Sequence, residues 1–546
     1  MQKGFHSSRW ISSSRFIAPL LLAAMAFAIP AWSAQEFHFS NEFSETFNEV
    51  TGLGSNQSSL TKGWRYLDVM GINGSGDLGR GWTHSYNVGL KASDDPKNDL
   101  KHISLTNLNA KFSNKTHTFN LGDTFDSFSQ YTLNTALKGA SYKYLDDGAF
   151  FSEVTLLSGF AYPRWDNAFS IGFGHVSIID RIVWGARTKM DVLDNFAIGV
   201  NAVGTRDVMS IPPGEQSFDN SRTYSLDFEF KPLPGLTFRG EAAYGEAKEL
   251  PQVGAAFVSH GGSAFRIEAV GDQDPSRVSL EYERVSSDFM TLTGAATADR
   301  EKAKAKWRYK AAKNITTNLG FLWFHDNLDG LKAQGTTFYY KPDAGVTFKN
   351  VFGRKYSAVD LSYKFDYAEL QGLTTKSDNI VNVNYRDRFW LIDTDSNFGY
   401  ISYNTLRPSA NRRNEFTGNT TISSRYTFDS LILAPSIYLG IWRSNDELAA
   451  TSDQIYEYSG GMSIDLPAAN VNTSFKGGQN RLLKSNGDNS TKYFANASAY
   501  WRPKQLESIS QTTLYARYAL NDFAFKADFS RDYRENSLTM GLNFMF

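Results

Sequence analysis

Cysteine is absent from all 546 residues. That excludes disulfides, thiolate metal sites and the C-x-x-C-H attachment of haem, so any redox cofactor belongs to a partner, and the sequence implies no cofactor of its own. Long apolar runs are missing too. Hydrophobic residues make up 41% of the chain, yet mean hydropathy is −0.39, which excludes a bundle of transmembrane helices. Charge of one sign is also lacking: 56 Lys and Arg face 57 Asp and Glu, a balance that implies no nucleic-acid partner. Histidine is sparse, at His6, His38, His84, His102, His117, His175, His260 and His325. These form no H-E-x-x-H pair and no local cluster, so no metal site is supported.

One apolar stretch is present, near the start. Lys3, Arg9 and Arg15 precede a core from Phe16 to Ile29, followed by Pro30 and the small-residue pattern Ala31-Trp32-Ser33. This three-part layout predicts a secretory signal peptide over residues 1–33, cleaved to leave a mature chain beginning at Ala34. Removing it leaves 53 basic against 57 acidic side chains, a charge of −4. The rest, residues 34–546, reads as one domain, with no linker, composition shift or Pro-rich seam.

What fills that domain is alternation, apolar then polar, in segments of about ten residues. Tyr224, Leu226, Phe228 and Phe230 share one face of a predicted strand, and Ser225, Asp227, Glu229 and Lys231 the other, because a strand repeats every two residues. After Pro232 to Gly235 the pattern resumes with Leu236, Phe238, Ala242 and Tyr244, making a hairpin. Val359, Leu361, Tyr363, Phe365 and Tyr367 oppose Asp360, Ser362, Lys364 and Asp366 in the same way, and Phe523 to Ser530 repeats it. A soluble sandwich alternates as well, but ordinary domains split well before this length. The sequence therefore predicts an all-β fold, a single large antiparallel transmembrane barrel of about 26 strands, since a bilayer demands closure of β structure.

Connections carry a further pattern. Lys313-Asn314 and Ala519 to Asp522 read as minimal turns, Thr291 to Arg300 and Asn327 to Ala333 as longer polar loops, as expected of periplasmic turns and outer loops. Trp307, Tyr309, Trp323, Tyr500 and Trp501 are candidates for interfacial girdles. Alternation is hard to phase over Lys341 to Tyr356 and lapses over Asn114 to Lys138. Asp393, Asp395 and Asn397 have EF-hand-like spacing, but Gly399 falls one place late and position twelve is Asn404, so they read as a polar loop.

The last segment is the most specific. Thr539, Gly541, Phe544 and Phe546 give a polar residue, a glycine two later and two aromatics at the end. This resembles the C-terminal signal of bacterial outer-membrane barrels, and the resemblance implies insertion by the barrel-assembly machinery into outer-membrane lipid of a Gram-negative cell. Leu121-Gly122-Asp123 through Phe128-Ser129, Tyr131, Leu133 and Leu137-Lys138-Gly139 is similar to a strand-loop element of large proteobacterial barrels; read from the residues alone, it is a Gly-Asp turn beside a strand. The chain departs from TonB-dependent transporters, having no evident N-terminal plug domain, and from fimbrial ushers, lacking their cysteine pairs.

For function, porins of 16 to 18 strands already leave an aqueous channel, so something should fill the lumen of a wider barrel. A wide porin-like conduit for a large solute is one expectation, a sleeve for a threaded or plugging protein another. The sleeve resembles the large porin-like partners of multihaem cytochromes in extracellular electron transfer. Polysaccharide export, nutrient uptake, and a structural or adhesive barrel plugged by its own loops are the alternatives. No serine, histidine and carboxylate are placed together by the sequence, and no enzyme is expected. One strand stands out as a candidate basic track on the lumen wall: Lys302, Lys304, Lys306, Arg308 and Lys310 alternate with Ala303, Ala305, Trp307 and Tyr309. Glu281 and Glu283 on the preceding segment are its expected neutralising partners.

Overall fold

A computed structural model describes residues 36–546, apart from 98, 100–101, 147, 149, 163, 166–179, 209–215, 253–254, 408–409 and 508–509. The candidate signal peptide and the mature start at Ala34 lie outside the described residues. Among these, 27 strands form one sheet. Tyr426–Thr427 is a two-residue stub against Ile432–Asp446, and the other 26 strands make the wall. Each pairs antiparallel with its neighbours in the chain. The first, Glu36–Thr51, also pairs with the last, Tyr533–Met545, from Ser40 opposite Met545 to Thr51 opposite Arg534. The sheet is thus a closed barrel, and closure leaves no unpaired edge. No helix among the described residues is long and apolar enough to cross a membrane.

The alternation fixes which way each side chain points. Tyr224, Leu226, Tyr244, Leu280, Phe321, Phe398, Phe416 and Met540 are exposed on one face. Thr223, Ser225, Ala243 and Glu283, at the alternate positions of the same strands, are buried on the other. In water such a belt would cost about 25 cal/mol for each Å² of apolar surface, so the exposed face is built for lipid and the polar one for the lumen. Register confirms the predicted hairpin, with Tyr224 opposite Tyr244 and Phe230 opposite Phe238. Twenty-six strands at about 4.8 Å spacing, tilted about 40°, make a cylinder roughly 50 Å across between backbones.

The two ends differ. The end that carries Glu36 and Met545 has two-residue turns at 80–81, 194–195, 234–235, 274–275, 313–314 and 390–391. At the first, Arg80 and Gly81 both take positive φ, 56° and 78°, the primed turn that matches strand twist. Most of the longer connections, 52–62, 94–102, 125–136, 286–299 and 327–336, lie at the opposite end, although 371–372 is short there and 350–357 and 425–431 are long at the first end.

Several sequence expectations are corrected. Ala519 to Asp522 is no turn but part of the strand Gln511–Phe525. Its polar pair is satisfied across the sheet, Asn521 by Glu535 at 3.3 Å and Asp522 by Arg534 at 2.8 Å. The chain turns at 526–532 instead, through a short 3-10 helix at Phe529–Arg531, so Phe529 is not a strand residue. Asp393, Asp395 and Asn397 lie in the strand Ile392–Thr405 rather than a loop; residues two apart share one face, and a wet wall admits carboxylates that elsewhere signal a loop. Lys341 lies in an unbroken strand, Thr337–Lys349, that runs through Pro342. Trp307 and Trp501 are exposed on the lipid face. Tyr500 faces the lumen, since adjacent strand residues point opposite ways.

Candidate functional site

The site is the part of the lumen where chain folds inward. Between the strands His117–Thr124 and Leu137–Leu145, residues 125–136 enter the barrel, in the region where alternation lapses. Gly122-Asp123 is not the turn that leads into it. Gly122 lies within the strand at φ 100° with its Cα hydrogens against the Leu108 carbonyl, where a Cβ would clash. Asp123 accepts from the Trp165 indole at 3.0 Å and pairs with Lys138.

Two apolar clusters hold the segment. Phe128 and Leu133 pack with Leu137, Leu157, Val183 and Val203, and Tyr131 packs with Ala243, Ala264, Val285 and Phe289. Tyr131 and Leu133 are both 0% exposed. Loop 286–299 meets the segment: Ala295 N–H donates to the Gln130 carbonyl at 2.7 Å, Asn134 N–H to that of Thr293 at 2.8 Å, and the Thr293 hydroxyl to the Thr132 carbonyl at 2.6 Å. A signal for this was present in sequence, since Leu156-Leu157, Ile182-Val183-Trp184 and Ala242-Ala243 put apolar residues at positions the alternation assigns to water. A wet wall has no use for them unless chain covers it.

Charged side chains seal what remains. Arg187 donates to the Phe128 carbonyl at 2.7 Å, Asn201 at 2.6 Å and Asp227 at 2.8 Å. Glu283, 1% exposed, accepts from the Tyr131 hydroxyl and the Gln130 amide, each at 2.9 Å, and lies 2.6 Å from Lys302. Low dielectric makes such a carboxylate costly alone and strongly held when paired. Beside the segment a cavity of about 420 Å³ is lined by Phe128, Arg187, Asp227, Arg239, Glu241 and Arg266, among others.

The basic track occupies one strand, Arg300–Ala312, and its members fare differently. Register sets Lys302 opposite Glu283 and Lys304 opposite Glu281. Lys302 binds both carboxylates, at 2.6 Å and 2.8 Å, and Lys310 pairs with Asp274. Lys304, Lys306 and Arg308 make no ion pair among the described residues, and the last two are exposed. The two strands thus neutralise one end of the ladder and leave its middle charged. No group of three or more His, Asp or Glu side chains among the described residues is arranged to hold a metal ion.

Thr539, Gly541, Phe544 and Phe546 all lie at the seam where the barrel closes. Thr539 and Thr46 share a hydroxyl contact of 2.9 Å. The Tyr515 ring lies over Gly541, where a Cβ would meet it. Phe544 and Phe546 pack on Phe39, with ring centroids 5.4 Å and 5.5 Å away.

No family model matches the chain, and no curated protein matches it in sequence. Among solved structures it is similar to a chain of the E. coli P pilus tip assembly intermediate PapC-PapD-PapK-PapG, at 10% identity and TM-score 0.49, over 93% of this chain and 61% of that one. This chain therefore spans less than two thirds of that protein's length. It is also similar to the outer membrane transporter YddB from Escherichia coli (7% identity, TM-score 0.44, 94% and 81% covered) and to Pseudomonas aeruginosa OpdK (9%, 0.28, 94% and 100%). The barrel itself is established by this chain's own register.

Proposed function

We propose that the protein is a wide outer-membrane conduit for a bulky polar solute or polymer, with its passage running beside the in-folded segment. One observation carries this reading. Among the described residues, the in-folded segment 125–136 and loop 286–299 cover the wall from about Leu137 to Val285, and a lumen of roughly 50 Å between backbones is far wider than they can fill. Across the barrel, on strands from Ala358 to Met545, lumen side chains such as Ser362, Lys476 and Arg517 stay exposed. Lys304, Lys306 and Arg308 add positive charge at the edge of the covered region, which a low-dielectric wall focuses on anions.

The test is conductance of the purified full chain in a planar bilayer, with and without residues 126–135 replaced by a short Gly-Ser turn. A large conductance that rises severalfold in the variant is expected. A wild-type barrel that conducts nothing would instead favour a self-plugged structural role. A threaded multihaem cytochrome is the other occupant a bare wall suits; haem absorbance in protein purified mildly from its native membrane, with conductance only after the partner is stripped, would replace the solute by that sleeve.

A further inference from the structure

We propose that the lumen face of the strands Val471–Leu483, Ser490–Trp501 and Gln511–Phe525 is a binding track for an acidic polysaccharide, sugar rings lying on aromatic faces and carboxylates on unpaired cations. This rests on the conduit reading and names its passenger.

These three strands contain a single carboxylate, Asp522, and it faces outward onto Arg534 at 2.8 Å. Their inward cations, Lys476, Lys492 and Arg517, make no ion pair among the described residues. Each is braced by rings instead. Lys492 stands 5.3 Å from the Phe523 centroid, and Lys476 lies 5.7 Å from Tyr438 and 5.9 Å from Phe494. Arg517 lies 4.5 Å from Tyr515 and 5.5 Å from Tyr500, and bonds the Tyr500 hydroxyl at 2.9 Å. Cation–π contact fixes a charge in place without neutralising it.

Register orders these groups along the passage. Asn480, Lys492 and Phe523 share a row one step in from Leu482, Ser490 and Phe525 at the long-loop end, and Gly478 with Phe494 the next. Lys476 with Asn496 follows, then Ser474 with Arg517, then Asn472 with Tyr500 and Tyr515. Cation and ring therefore recur over five rows, roughly 27 Å of strand. A hydroxyl-rich polymer with regularly spaced carboxylates matches such a wall: the C–H face of a pyranose is attracted by the negative face of an aromatic ring, and Asn480 and Asn496 offer amides to its hydroxyls. The covered wall offers no equivalent, because its cations Arg187, Arg266 and Lys302 are committed to carboxylates.

The experiment is calorimetry on the full chain in detergent, titrated with an oligogalacturonate, a neutral maltodextrin and polyglutamate. It reads binding whether or not the barrel conducts, so failure here is separate from failure of the conduit. Oligogalacturonate is expected to bind at least about tenfold more tightly than either control. The triple variant K476Q/K492Q/R517Q should lose about tenfold for oligogalacturonate, and F494A/Y500A should weaken oligogalacturonate while leaving polyglutamate unchanged. Both variants are first checked for heat-modifiable migration. No binding to the wild type, unchanged binding in the triple variant, or polyglutamate binding as tightly as oligogalacturonate would each overturn the proposal, the last pointing to a generic polyanion or protein guest.

Discussion

Ser225 and Ser362 read alike in sequence, each a small polar residue between apolar neighbours on a predicted strand, and both point into the barrel. Ser225 is 5% exposed and bonded to Asn201 at 2.9 Å and Ser129 at 3.3 Å, whereas Ser362 is open to the lumen. The in-folded segment makes the difference. Around Ser225 the wall is the far side of a packed core, with Arg187 locked onto Asp227; around Ser362 it is a solvated surface, where Arg386 and Asp360 pair at 3.3 Å while 60% and 30% exposed. A wet barrel face is thus two environments, and charge costs or contributes according to which one it occupies.

The largest effect should come from exchanging those serines. Ser225→Arg puts a long cation under the segment at a site only 5% exposed and removes the bonds to Asn201 and Ser129, so the segment is expected to be expelled or the barrel to misfold, read as lost heat-modifiability and protease cleavage within 125–136. Ser362→Arg should fold normally. Phe365→Arg, on the lipid face of the same strand, should cost about 2–4 kcal/mol near the bilayer midplane. Equal tolerance of arginine at both serines would erase the distinction between the two walls.

Next come the carboxylates. Glu283→Ala takes the acceptor from the Tyr131 hydroxyl and the Gln130 amide and leaves Lys302 with Glu281 alone in a buried site, and is expected to cost about 3–5 kcal/mol. Asp360→Ala breaks a pair that is 60% and 30% exposed and should cost under about 1 kcal/mol. Urea unfolding midpoints compare the two, and matching shifts would mean that the segment does not seal the wall. A smaller effect should follow K304Q/K306Q/R308Q, which leaves folding intact and moves ion selectivity toward cations in bilayer recordings; unchanged selectivity would make those residues plain wall.

The smallest concerns the long-loop rim. Lys332 lies 2.6 Å from Asp299 and 3.0 Å from Asp326. Burial alone would raise the Asp299 carboxyl, but bonds from Lys332 and the Leu328 and Asn327 backbone amides outweigh it and hold the group below the ordinary aspartate range. Its bond to Asp299 lifts Lys332 above the ordinary lysine range. The Asp299 contribution is therefore full above the ordinary aspartate range and lost as pH falls through the lower folded value. That of Lys332 is full below the ordinary lysine range and lost as pH rises through the higher one. Protease sensitivity of loop 327–336 should stay flat between these limits and rise beyond them, modestly, because Lys332 is 47% exposed.

Much of the wall was legible because strand periodicity is local. Tyr224 to Lys231, Val359 to Tyr367 and Glu301 to Ala311 each declare a lipid face by counting in twos, and the same alternation puts Lys302 and Glu283 on one face, while their pairing is set by the register. Turns were less legible: Asn521-Asp522 looks like a turn until its partners on the next strand are known. The in-folded segment was visible only as a lapse, since nothing within residues 125–136 tells that Tyr131 will meet Glu283, 152 positions away.

The sequence by itself determined the two faces, the antiparallel order and a strand number of about 26, since these follow from period-two patterning and short connections. Only the tertiary structure decided which part of the inner wall is covered and which cations stay unpaired. Closing 26 strands brings Phe39 to Phe546 and Gln130 to Ala295, and contacts over such separations depend on the curvature of the whole sheet rather than on any stretch of chain.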